Sequence, residues 1–159
     1  MGILLIISVT LCLALFDIAF KALIENGMTR GEERTACKGK LIIRKVYNRG
    51  FCLNLMEKKE ELVKYGSVIT TMILTIWQLI TLLFKKRPLR KAGLSLMTAG
   101  AWSNTFDRWF KGYVVDYAAF PSKSKKAREL TFNLADVFIV FGAVLVMISS
   151  LFHEIRKKK

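Results

Sequence analysis

Gly66-Ser67-Val68-Ile69-Thr70-Thr71-Met72-Ile73-Leu74-Thr75-Ile76-Trp77-Gln78-Leu79-Ile80-Thr81-Leu82-Leu83-Phe84 runs without one ionisable side chain. At 1.5 Å per residue, a helix of that length covers roughly 30 Å, the thickness of a bilayer's hydrocarbon core. It closes on Lys85-Lys86-Arg87-Pro88-Leu89-Arg90-Lys91, where only Pro88 and Leu89 are not basic. An apolar run that stops on Lys and Arg reads as a transmembrane helix with its cytoplasmic flank.

Three more spans lie around it. Met1 to Phe16 carries no charge, and Asp17 and Lys21 then fall four apart at the end of the run. No basic residue precedes Lys21 and no A-x-A site follows, so residues 3–22 read as a retained helix rather than a cleaved leader. Residues 92–108 form a short, mixed span containing Gly100, Ser103 and Asn104. Small residues let helices approach and polar ones bond across them, which places this span inside a bundle. The fourth span, residues 130–152, leads to the basic tail Arg156-Lys157-Lys158-Lys159.

The chain therefore reads as an all-α integral membrane protein, a four-transmembrane-helix bundle in a single domain over residues 1–159, with spans at about 3–22, 66–84, 92–108 and 130–152. The basic turn and the basic tail belong on one side, the cytoplasm, which also takes the N-terminus. Residues 22–65 and 109–129 then face outside. There, Lys40 to Tyr47 is β-branched with partial alternation, followed by Asn48-Arg49-Gly50-Phe51, and predicts a small β-containing extracytoplasmic region. Glu57 to Tyr65 reads as a helical lead into the second span.

Composition agrees. The 159 residues are 53% hydrophobic yet carry a net charge of +14, a conflict in a soluble globule but not in a multi-pass membrane protein. Nucleic-acid binding is excluded, because Lys and Arg flank apolar runs and build no basic face interleaved with aromatics. Cys12, Cys37 and Cys52 form no C-x-x-C pair and have no histidine at ligand spacing, so neither a metal nor a cofactor is expected. Cys37 and Cys52 share the outer loop, either paired or as two thiols. His153, the single histidine, stands beside the basic tail and reads as an interfacial residue.

Two carboxylates remain to be explained. Asp116 follows the third span by about eight residues, and Asp136 lies six residues past Leu130, roughly 9 Å along a helix. An acid within an apolar span is a candidate functional group, because burying it unpaired costs several kcal/mol. The orientation brings both to the outer leaflet. Two close carboxyls share a proton, so that one serves as base and the other as acid toward a water. Asn133 shares a helix face with Asp136, and Asn104 shares one with Arg108. The bland reading makes Asp136 and the Asp107–Arg108 pair structural, and for Asp107 that reading is preferred. A small transporter using Asp136 as a relay is a further alternative.

Four blocks together resemble the lipoprotein signal peptidase family (signal peptidase II), four-helix aspartic membrane proteases of bacteria. Asp17-x-x-x-Lys21 is similar to its D-Q-x-x-K, and Asn48-x-Gly50 to its N-x-G. Asn104-x-x-Asp107-Arg108 with Gly112-x-Val114-Val115-Asp116-Tyr117 resembles N-x-x-D-R…G-x-V-V-D-F, and Phe132-Asn133-x-Ala135-Asp136 resembles F-N-x-A-D. The resemblance implies that Asp116 and Asp136 are the catalytic pair, that Asn48, Asn104, Arg108 and Asn133 line the site, and that Asp17, Lys21 and Gly50 support it. It implies cleavage of diacylglyceryl-modified prolipoproteins just before the lipidated cysteine, contact with membrane lipid, and inhibition by globomycin-type peptides, in a bacterial cell membrane. Ile18, Phe51, Cys52, Ala99 and Leu130-Thr131 depart from the family pattern, which leaves a catalytically silent paralogue as the rival reading.

Overall fold

The computed structural model describes residues 2–51 and 57–157. Four long helices carry most of the chain: α1 (Ile3–Gly27), α2 (Glu60–Leu83), α3 (Pro88–Phe110) and α5 (Leu134–Lys157). A short α4 (Lys125–Glu129) and strands β1 (Glu33–Ala36), β2 (Leu41–Asn48) and β3 (Val114–Ala119) fill the connections. Local chemistry accounts for the ends. Glu60 and Glu61 occupy the first turn of α2, where the helix dipole favours acids. Pro88 opens α3, where its missing N–H has no helical partner to lose.

α3 is the central helix and packs against α1, α2 and α5. Its buried face is small and polar, including Gly93, Ser95, Thr98, Ala99, Gly100, Ser103, Asn104 and Asp107. The approach to α5 is close: a methyl on Gly100 would sit 2.3 Å from the Ala135 carbonyl oxygen, and one on Gly142 would sit 2.5 Å from the Gly93 carbonyl oxygen. Hydroxyl and amide pairs such as Thr71 with Thr105 at 2.8 Å, and Gln78 with Thr10 at 2.8 Å, join the helices inside. The apolar side chains point the other way. Leu4, Leu15, Ile69, Ile73, Leu83 and Val140 are all exposed. Polar inside and greasy outside is the pattern of a bundle whose solvent is lipid.

Among the described residues, α1, α2 and residues Leu134–His153 of α5 are long and apolar enough to cross a membrane. α3 does not reach that hydropathy, because its inward face is built from the polar residues just named.

The three strands form one antiparallel sheet in the order β1-β2-β3, with Val46 opposite Asp116 and Asn48 opposite Val114. Register slips between Ile43 and Val46, so Arg44 and Lys45 occupy a bulge. The β-branched run predicted over Lys40 to Tyr47 forms β2, one residue later at Leu41–Asn48, whereas β1 and β3 lie in stretches without a predicted strand.

One boundary needs correction. The expected fourth span begins at Leu130, but α5 starts at Leu134. Phe132 instead pairs with Ala118, its N–H and C=O both engaged at 2.8 Å. An extended residue at 132 cannot also be helical, so Asp136 lies in the first turn of α5 and not 9 Å along it. α2 likewise begins six residues before Gly66, taking in the predicted helical lead. Cys12 and Cys37 are exposed, and the Cys37–Cys52 question concerns a residue outside the described stretches.

Candidate active site

Asp116 comes from β3 and Asp136 from the first turn of α5, and both line one cavity of about 710 Å³ with Asn48, Asn104, Arg108 and Phe51. The rest of the wall is apolar, from Phe120, Leu130 and Phe132 above to Val137, Val140 and Val144 along α5. The cavity is therefore a greasy trough with acids at one end.

Three asparagines hold the acids. Asn48 donates to Asp116 Oδ2 at 2.9 Å and Asn133 donates to Asp116 Oδ1 at 2.6 Å. Asn104 donates to Asp136 Oδ1 at 2.9 Å. None of these amides is free to turn over. The oxygen of Asn48 accepts the Gly50 N–H at 3.0 Å, a local turn bond that also shapes the loop. The oxygen of Asn133 accepts the Asp136 N–H at 2.9 Å, while the Asp136 carboxylate accepts the Asn133 N–H at 3.1 Å. This is a reciprocal capping box, with Asn133 as N-cap and Asp136 three residues on. The oxygen of Asn104 accepts Lys21 Nζ at 2.6 Å.

Lys21 is fully buried, as is its ion-pair partner Asp17 at 2.8 Å. A buried pair is tolerable only when the remaining lone pairs and protons are bonded. Here Ser103 donates to Asp17, Tyr117 Oη donates to Asp17 at 3.2 Å, and Lys21 also donates to Ser103 at 3.1 Å. Asp17 and Lys21 thus stand behind Asn104 and not in the cavity. Gly50 contributes backbone only: its carbonyl accepts Arg108 Nη2 at 2.9 Å. Arg108 also lies over the Phe51 ring, and its Nε is buried with no partner among the described residues. Asp107, expected to be structural, is fully buried between Lys111 at 2.9 Å and Lys21 at 3.7 Å, and accepts the Val115 N–H.

All nine candidate residues therefore belong to one connected assembly. Sequence reasoning missed Ser103 and Tyr117. Tyr117 faces the bundle on a strand whose residues are all buried, so no alternation in the sequence marked it. There the Tyr117 ring packs tilted against Phe20, and its hydroxyl accepts the Leu134 N–H at 2.9 Å.

Burial, followed by the charge of Asp136, pushes the Asp116 carboxyl up to about 7 against the pull of Asn48 and Asn133. Among the described residues, no cluster of His, Cys, Asp and Glu could hold a metal ion.

Apolar helices under a small sheet, with buried acids in a cavity between them, make the architecture of a membrane protein with a polar site. Two solved chains described as bacterial membrane enzymes share the fold. One, solved at 2.3 Å, has a TM-score of 0.82 and 24% identity over 99% of this chain and 93% of that one. The other, at 1.9 Å, has a TM-score of 0.77 over 94% of each. The family model for signal peptidase (SPase) II matches residues 9–152. The lipoprotein signal peptidase of Syntrophomonas wolfei is 30% identical over 94% of both chains. That of Serratia marcescens is 32% identical over 92% of this chain and 84% of its own. The chain belongs to the signal peptidase II family.

Proposed function

We propose that this protein is an aspartic endopeptidase that removes the signal peptide from diacylglyceryl-modified prolipoproteins, cutting just before the lipidated cysteine. Family membership supports the removal of prolipoprotein signal peptides. The observation that carries the aspartic chemistry is the opening of Asp116 and Asp136 into one cavity, with their oxygens fixed by three oriented amides.

The mechanism follows from that geometry. We assign the proton that the pair shares to Asp116 and the role of base to Asp136. A water between them gives a proton to Asp136 as its oxygen attacks the scissile carbonyl carbon. Asp116 protonates the carbonyl oxygen, forming a tetrahedral diol. Return of a proton to the cysteine nitrogen breaks the C–N bond. Arg108 lines the cavity, and its Nε–H, buried without a partner among the described residues, is left to serve a substrate carbonyl.

The greasy trough suits a signal helix and its acyl chains, held so that the cleavage point meets the acids. In this reading α3 is a fourth crossing, the chain is one multi-pass membrane domain, and the sheet faces outward. Both termini are cytoplasmic. Globomycin-type peptides, being lipophilic and cyclic, would occupy the same trough. A gel-shift assay on diacylglyceryl-modified prolipoprotein tests the proposal. It expects conversion by the wild type and none by Asp136→Asn; full conversion by the variant refutes it.

A further inference from the structure

The cavity's upper wall is a short extended stretch, Leu130 to Phe132, that ends in the Asn133 cap. Backbone pairing with Ala118 holds Phe132. A second tie holds the residues before it. Arg44, from the β2 bulge, donates Nε to Thr131 Oγ1 at 2.8 Å and Nη2 to the Arg128 carbonyl at 2.8 Å. Its remaining nitrogen faces Glu33 at 3.4 Å.

The bulge makes this reach possible. In a regular strand, adjacent side chains point to opposite faces of the sheet, and β2 is paired along both edges, with β1 and with β3. An extra residue bends the strand and re-aims its side chains. Arg44 thereby reaches the α4–α5 link, while Lys45 turns to the carbonyls of Glu25 and Met28 at the end of α1. A guanidinium is suited to such a task, because its planar fork fixes two acceptors in one geometry. The Arg44 side chain is only 15% exposed, so the fork is partly shielded from water.

We propose that Arg44 is a positioning residue for the peptidase reaction. By clamping residues 128–131 it sets the angle at which Asn133 enters α5, and hence the placement of Asp136 against Asp116. Arg44 does not line the cavity and touches no reacting group. Its effect travels through Thr131, Asn133 and the capping box. The inference rests on the carboxylate-pair reading and adds a residue that reading does not contain.

The test is steady-state kinetics in proteoliposomes on diacylglyceryl-modified prolipoprotein, with Arg44→Gln, Thr131→Val, Thr131→Ser, the Arg44→Gln/Thr131→Val double variant and Asp136→Asn. Thr131→Val is nearly isosteric, so it keeps the question answerable should Arg44→Gln fail to fold. Misplacing a catalytic group by a fraction of an ångström predicts a kcat lower by roughly ten- to a hundredfold in Arg44→Gln and Thr131→Val, with KM within about twofold. Thr131→Ser, which restores the hydroxyl, recovers most of the rate lost in Thr131→Val. The double variant is no slower than Arg44→Gln, because the clamp is already broken. Unchanged kcat in both single variants beside an inactive Asp136→Asn overturns the role of Arg44. So does a loss confined to KM, or multiplicative losses in the double variant. An active Asp136→Asn overturns the underlying carboxylate reading, an outcome distinct from the others.

Discussion

Asn133 and Asp136 cap one another: each accepts the other's backbone N–H, while the Asn133 amide nitrogen reaches Asp116 at 2.6 Å. One asparagine thus ends a strand-like segment, starts a helix and bridges the two acids. The same bonds that nucleate α5 also orient the pair.

Replacing either acid by its amide tests that pair directly. Asp116→Asn and Asp136→Asn are expected to lower the processing rate by more than about a hundredfold, the scale of acid–base catalysis. Both proteins should still insert into membrane, as read by carbonate extraction.

The pH profile carries a signed expectation. A carboxyl whose proton is held up to about 7 is still an acid at pH 6 and largely ionised at pH 8. Losing that proton removes the donor for the carbonyl oxygen and leaves two like charges together. kcat/KM should therefore fall as pH rises through about 7, measured in proteoliposomes of neutral lipid.

Lys21→Met leaves the fully buried Asp17 without its cation. Breaking a buried pair on one side costs about 3–5 kcal/mol, so thermal unfolding in detergent should show a large loss. Asp17→Leu with Lys21→Met removes both charges and should regain much of that stability. Activity should stay low in the double variant, because Asn104 has lost the ammonium that fixes its amide.

Two glycines separate packing from backbone strain. Gly100→Ala pushes a methyl against the Ala135 carbonyl and forces α3 from α5, a loss of about 1–3 kcal/mol. Gly112→Ala meets open space but must adopt a φ of +81°, a loss of about 1–2 kcal/mol from the backbone alone. In thermal melts both variants are less stable. Only Gly100→Ala should also reduce the activity of the folded enzyme, since Ala135 adjoins Asp136.

Tyr117→Phe removes one oxygen from a ring packed against Phe20. Leu134 N–H then loses its acceptor and Asp17 loses a donor. An unsatisfied buried group costs about 1–3 kcal/mol, and a lower melting temperature with the fold retained by circular dichroism is the expected result.

Much of this architecture is legible in residue order. The charge-free run to Phe84, the basic turn after it and the small-residue content of α3 report lipid-facing and inward-facing helices. Asp17 and Lys21, four apart, already read as one helix-face pair, and the structure joins them at 2.8 Å. What is not legible depends on partners distant in the chain. Leu130-Thr131-Phe132 is apolar enough to pass for helix, and only Ala118 makes Phe132 extended. The three-residue spacing of Asn133 and Asp136 was readable as a shared face. That it is a cap depends on where the helix begins. β3 looks like a loop by pattern because all six of its residues are buried, which erases the alternation that marks a half-exposed strand.

Asp116 arrives on a strand of the sheet and Asp136 on the opening turn of α5, so neither element alone holds a pair. During biosynthesis the nascent chain has no paired acids until α5 has docked beside α3 and Phe132 has zipped onto β3. On the proposed reading, hydrolytic competence then comes only with completion of the fold.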